Sequence, residues 1–129
     1  MARYPLPVIL HGITGRMGEV AHLALRRICD EGGVAAGSDT FDPVPIGLGR
    51  TESKLRDYAD RRGLEHFTTS IDEALAMARE KNPHFRVYHN AVSTGARLDI
   101  VREVLPKLDP SITARSEEHT SELQSLLII

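Results

Sequence analysis

The stretch Gly12-Ile13-Thr14-Gly15-Arg16-Met17-Gly18 constrains this chain more than any other. It follows Pro7-Val8-Ile9-Leu10, a short apolar run of the kind found in a buried parallel strand, and precedes helical spacing from Met17 to about Ile28. Three glycines at a strand-to-helix junction form a loop suited to a dinucleotide. The first permits a sharp turn, the second lets backbone N–H groups approach a pyrophosphate, and the third lets helix and strand pack closely. Phosphates placed there meet unpaired N–H groups at the positive end of the helix dipole. The spacing is GxxGxxG rather than the commoner GxGxxG. It also fits a glycine-rich turn without a ligand, so the rest of the chain must decide.

A chain of 129 residues with 41% hydrophobic residues supports one domain with a real core. A formal net charge of −2 gives no electrostatic basis for binding nucleic acid or an anionic membrane. No apolar run reaches membrane-spanning length, and residues 1–7 lack the apolar core of a signal peptide. With Cys29 as the sole cysteine, the chain has no internal disulfide, and a cytoplasmic setting is expected.

The first helix is expected to present Met17, Val20, Ala21, Ala24 and Ile28 on its inner face, with Arg26 and Arg27 in its last turn and Gly32-Gly33 stopping it. Residues 31–45, rich in glycine, aspartate and proline, read as an extended surface connection. A second strand is expected over Val44–Gly49, then a helix from Glu52 to about Arg62 with Thr51 as N-cap, Leu55, Tyr58 and Ala59 facing inward, and Gly63 at its end. His66–Thr69 reads as a third strand. Ser70-Ile71-Asp72-Glu73 is a capping box opening a helix with Ile71, Ala74, Leu75 and Ala78 inward, broken at Asn82-Pro83. Phe85–Val92 is the fourth strand, followed by a helix from Ser93 to Leu105 that Pro106 ends. Alternating strands and helices give the α/β class: a Rossmann-type, doubly wound parallel sheet, incomplete at its fourth strand, with strand order 3-2-1-4.

The segment Arg115–Ser125, RSEEHTSELQS, has no place in this pattern. Read back through the genetic code, it is similar to one frame of a common short-read sequencing adapter. Residues 111–129 are therefore expected to be a non-native tail, with 115–125 adapter-like, and the native part to be residues 1–110, a truncated NAD(P)-binding domain. Without residues 115–125 the acidic and basic side chains balance. His119, flanked by carboxylates, is set aside as a candidate site.

The segments VILHGITGRMGEVAHLAL, GRTESKLRDYADRRGLEHFTTSIDEALA and NAVSTGARLDIVREVL, in this order, resemble the glucose–fructose oxidoreductase/inositol dehydrogenase (Gfo/Idh/MocA) family over residues 6 to about 108. That resemblance implies an NAD(P)-dependent oxidoreductase acting on a sugar, polyol or related CH–OH substrate, with a substrate domain after the nucleotide domain and a parent protein that forms homo-oligomers. By position, Gly12, Thr14, Gly15, Arg16, Met17 and Gly18 would hold the pyrophosphate. Arg50 would stand beside the adenosine ribose, where an arginine suits a 2′-phosphate and favours NADP over NAD. Thr51 would add a hydroxyl and Lys54 a second positive charge. Ser93 and Thr94 would line the ribose and nicotinamide side.

The family's E-K-P motif, whose lysine contributes to the active site, is absent, and no catalytic residue is assigned. His11, His22, His66, His84 and His89 have no metal-ligand spacing, and His11 is expected to pack beside the glycine loop. Other readings of GITGRMG are an atypical short-chain dehydrogenase-like protein, dihydrodipicolinate reductase, or a non-catalytic NADP-sensing module. The first uses a Y-x-x-x-K pair, but Tyr58 is followed by Arg62 and Tyr88 by Val92.

Overall fold

A computed structural model describes residues 2–92, 99–100 and 102–107. Ser93, Thr94 and the tail from residue 108 onward lie outside the described residues. The order of elements is β1 (Arg3–His11), α1 (Arg16–Asp30), β2 (Val34–Ala36), β3 (Asp39–Leu48), α2 (Glu52–Arg62), β4 (Phe67–Thr68), α3 (Ile71–Lys81) and β5 (Val87–Asn90). Residues 99–100 and 102–104 are helical and lead into a 3-10 turn at Leu105–Lys107.

The sheet runs β2-β3-β1-β5, with β4 also pairing β3. β1 pairs in parallel with β3 and with β5, and β3 pairs in parallel with β4. These four parallel strands have the expected 3-2-1-4 order, and the fold is Rossmann-like. The expected surface connection over residues 31–45 is instead structured. β2 and the first part of β3 form an antiparallel hairpin, Val34 opposite Phe41, turning at Gly37 with φ +64°.

Four prolines made both central strands look shorter than they are, and the ladder explains why they are tolerated. In a parallel strand successive residues direct their N–H and C=O groups to opposite neighbours. Gly12 N–H donates to Leu48 O, whereas His11 O accepts from Ala91 N–H. Odd positions of β1 therefore face β5, and Pro5 and Pro7 precede the first β5 partner, which is opposite Val8. On β3, Gly47 N–H donates outward to His66 O. Pro43 and Pro45 face outward too, between the residues paired with β2 and those paired with β4. The missing donors fall where the described strands offer no acceptor.

Two apolar layers cover the sheet. On one face Val8, Leu10 and Ile13 pack with Leu55, Tyr58, Ala59 and Leu64, together with Ala21 and Leu25 of α1. On the other, Ile9, Ile46, Leu48 and Tyr88 pack with Ala74 and Ala78 of α3 and with Val104. α2 and α3 turn the expected faces inward. The α1 expectation is corrected: Met17 and Val20 are 63% and 56% exposed and Ala24 is exposed, while Gly18 and His22 are buried. The close seat of Gly18 against the β1 turn fixes the rotation of the helix. Glu19 then ion-pairs with Arg62 at 2.9 Å, joining α1 to α2.

The caps also depart in detail from expectation. Thr51 occupies the N-cap of α2, but its side chain makes no capping hydrogen bond. Half of the capping box forms: Glu73 N–H donates to Ser70 Oγ at 3.2 Å, while Ser70 N–H donates to Thr68 Oγ1. Gly63 closes α2 in the left-handed conformation, φ +69°, and Gly32 and Gly33 cap α1 through N–H bonds to Cys29 O and Ile28 O.

Candidate functional site

Three parallel strands deliver their C-terminal ends to one cleft of about 330 Å³. Its lining comes from His11, Gly12, Thr14 and Gly15 after β1, Gly49, Arg50, Thr51 and Lys54 after β3, and Ala91, Val92 and Ile100 after β5. β1 lies between β3 and β5, and the chain winds first to one side and then to the other. A doubly wound sheet opens its binding crevice at such a switch point.

The three glycines divide the work. Gly12 has φ +88°, and a Cβ there would lie 2.9 Å from Ala91 O, so this position needs glycine for conformation and for space. Gly18 packs against the backbone of the loop, and a Cβ on it would stand 2.5 Å from Ile13 Cα. Gly15, the N-cap of α1, is different: a Cβ would meet only Gly12 O at 3.4 Å, and its outer side is open.

The first N–H bond entering α1 is Glu19 to Gly15 O at 2.9 Å. Among the described residues, the N–H groups of Ile13, Thr14, Arg16, Met17 and Gly18 donate to no backbone carbonyl. These donors and the open glycine suit a phosphate oxygen. Arg16, Met17 and Gly18 are not among the residues that line the cleft, and Arg16 and Met17 are exposed beside it.

On the β3 side, Arg50, Thr51 and Lys54 share the cleft wall. Arg50 and Lys54 form no ion pair among the described residues, so both charges remain available. Glu52, close enough in sequence to compete, instead pairs with Arg56 at 2.6 Å and lines a separate surface depression. The cleft wall formed by these residues is therefore cationic.

Sequence pattern understated His11. It is 4% exposed, lines the cleft, and its Nδ1 lies 2.5 Å from the Tyr88 hydroxyl. Burial, with a further contribution from the Arg50 charge, lowers its pKa to about 4. Burial and the charge of Glu103 raise that of Tyr88. The signal available in the sequence was β-strand alternation, which places His11 on the same sheet face as Ile9. A second pair, His22 Nδ1 and Tyr58 OH at 2.8 Å, joins α1 to α2. Tyr58 and Tyr88 are thus each engaged by a histidine. Among the described residues no three His, Cys, Asp or Glu side chains converge on a metal position, and no helix is long and apolar enough to cross a membrane.

The sheet order and the cleft at its switch point define a Rossmann-like α/β domain with a glycine-rich loop at the cleft. No family model matches the chain. It is similar to D-xylose dehydrogenase of Paenarthrobacter nicotinovorans, with 29% identity over 101 residues, covering 76% of this chain and 25% of that protein. The chain therefore spans about a quarter of the length of the curated relative it matches.

Proposed function

We propose that this chain is the nucleotide-binding part of an NAD(P)-dependent oxidoreductase acting on a sugar, polyol or related CH–OH substrate. The observation that carries the reading is the convergence of the open glycine loop and the Arg50–Thr51–Lys54 wall on one switch-point cleft. The similarity to a sugar dehydrogenase supports the substrate class. Gly12, Thr14, Gly15 and the N–H groups of Arg16 to Gly18 hold the pyrophosphate. Arg50 and Lys54 flank the adenosine ribose and favour NADP over NAD, because a planar guanidinium beside an ammonium matches a 2′-phosphate. Ser93 and Thr94 complete the nicotinamide side.

When bound, the nicotinamide ring supplies the hydride acceptor or donor. The residues of this chain bind and orient it, and substrate positioning and proton transfer belong to a substrate domain in the longer parent protein, which is cytoplasmic and forms homo-oligomers. In the same reading residues 111–129 are not native sequence, and an adapter-free read of the source DNA gives a different continuation after about residue 114. The functional test is calorimetric titration of the purified chain with NADP⁺ and NAD⁺. Saturable binding of both, tighter for NADP⁺, is expected; no binding of either at millimolar concentration overturns the proposal.

A further inference from the structure

The buried His11–Tyr88 pair has a chemical consequence for whatever occupies the cleft. Tyr88 is 2% exposed, and its hydroxyl proton needs an acceptor. Among the described residues the hydroxyl has one hydrogen-bond partner, His11 Nδ1. If Nδ1 carried the proton, two donors would face each other's only partner and the hydroxyl proton would have no acceptor. The arrangement that satisfies both groups has Tyr88 donating to an unprotonated Nδ1. A neutral imidazole then carries its proton on Nε2.

Among the described residues Nε2 has no hydrogen-bond partner, and no fully buried side-chain nitrogen or oxygen there is left unsatisfied. Nε2 therefore keeps some access to solvent, and His11 lines the cleft beside Gly12. We propose that His11 is a ligand-contacting residue, whose Nε2–H is presented as a single uncharged donor to a phosphate or ribose oxygen of the bound dinucleotide, with Tyr88 as the positioning residue that fixes this tautomer. The proposal rests on the dinucleotide reading of the cleft. Burial and the Arg50 charge keep the ring neutral, so the donor carries no charge of its own. Its contribution is directional: one N–H at the point where β1 gives way to the glycine loop.

The test is ¹⁵N NMR of the histidine side chains and glycine amides in the full chain, titrated with NADP⁺. In the free protein, His11 is expected to show a protonated Nε2 and an acceptor-type Nδ1. On saturation the Nε2 signal should shift together with the Gly12 and Gly15 amides, while Nδ1 keeps its acceptor character. Tyr88→Phe should give a mixture of tautomers and bind NADP⁺ roughly 5- to 10-fold more weakly, the scale of one hydrogen bond. His11→Leu should lose affinity similarly, and His11→Gln, which retains a donor, should recover part of it. If the glycine amides move and Nε2 does not, the His11 proposal falls while the dinucleotide reading stands. If neither moves, both fall. A protonated Nδ1 in the free protein overturns the tautomer assignment directly, even if a variant fails to fold.

Discussion

Gly18 sits against Gly12 so closely that a Cβ at 18 would overlap the Gly12 carbonyl and lie 2.5 Å from Ile13 Cα. The third glycine of the loop thus sets how α1 meets β1 and which helix face is buried. Gly18→Ala is expected to destabilise the chain by more than about 3 kcal/mol, above the ordinary range for overpacking, because the obstacle is backbone. Gly15→Ala has room and should cost less than about 1 kcal/mol in the absence of ligand. Urea denaturation of the two variants checks the contrast, and equal losses would contradict it.

The two buried histidines make stability depend on mildly acidic pH. Burial and Arg50 lower the pKa of His11 to about 4, and burial with Arg26 and Arg62 lowers that of His22, opposed by Glu19. An unfolded histidine titrates near 6.5, so below that pH the unfolded chain binds more protons than the folded one. Their contribution is fully present above the unfolded value and is lost as pH falls toward the lowered folded values. For His11 the window is about 6.5 to 4. A sealed group with that shift would contribute roughly 3 kcal/mol; cleft water screens part of it, leaving about 1–2 kcal/mol. Urea midpoints measured from pH 7.5 to 4.5 should fall, and the fall should shrink in His11→Gln.

Arg50 is expected to discriminate between the two dinucleotides. A charge-assisted contact to a 2′-phosphate is worth about 1.5–3 kcal/mol. Arg50→Asp should therefore weaken NADP⁺ binding by roughly 10- to 100-fold and change NAD⁺ binding by less than about 3-fold. Equal losses for both would reject the 2′-phosphate role. Removing that positive charge should also raise the His11 pKa, an independent reading of their proximity by NMR.

The glycine loop, the alternation of elements and the parallel strand order were legible because each follows from local pattern. The inner faces of α2 and α3 were legible too, since Leu55, Tyr58, Ala59, Ala74 and Ala78 lie at helical spacing and are buried. The α1 face was not. Hydrophobicity nominated Met17 and Val20, whereas the contact that sets the helix rotation belongs to Gly18, which has no side chain to register in such a pattern. The long β3 was hidden because a strand ending cannot be distinguished, in one dimension, from prolines whose missing N–H groups point to an unpaired edge. In the cleft, Arg50 and Thr51 were placed by resemblance, and the structure puts them beside the loop. The His11–Tyr88 pairing spans 77 positions, and nothing local announces it.

Asn82 gives the last prediction, and it follows from the start of β1, which β5 does not reach. Pro5 O faces the β5 side ahead of the first β5 partner, and Asn82 Nδ2 donates to it at 2.9 Å. The other end of the amide accepts from His84 N–H and Phe85 N–H at 2.9 and 3.0 Å, holding the turn that feeds β5. Asn82 is 6% exposed, and its removal leaves the Pro5 carbonyl and two turn amides without their partner. Asn82→Ala should cost about 2–3 kcal/mol. Asn82→Asp should also destabilise, because a carboxylate keeps the two acceptor contacts but cannot donate to Pro5 O. If Asp were as stable as Asn at pH 7 by urea denaturation, the bond to Pro5 would contribute nothing, and the amide would serve the turn alone.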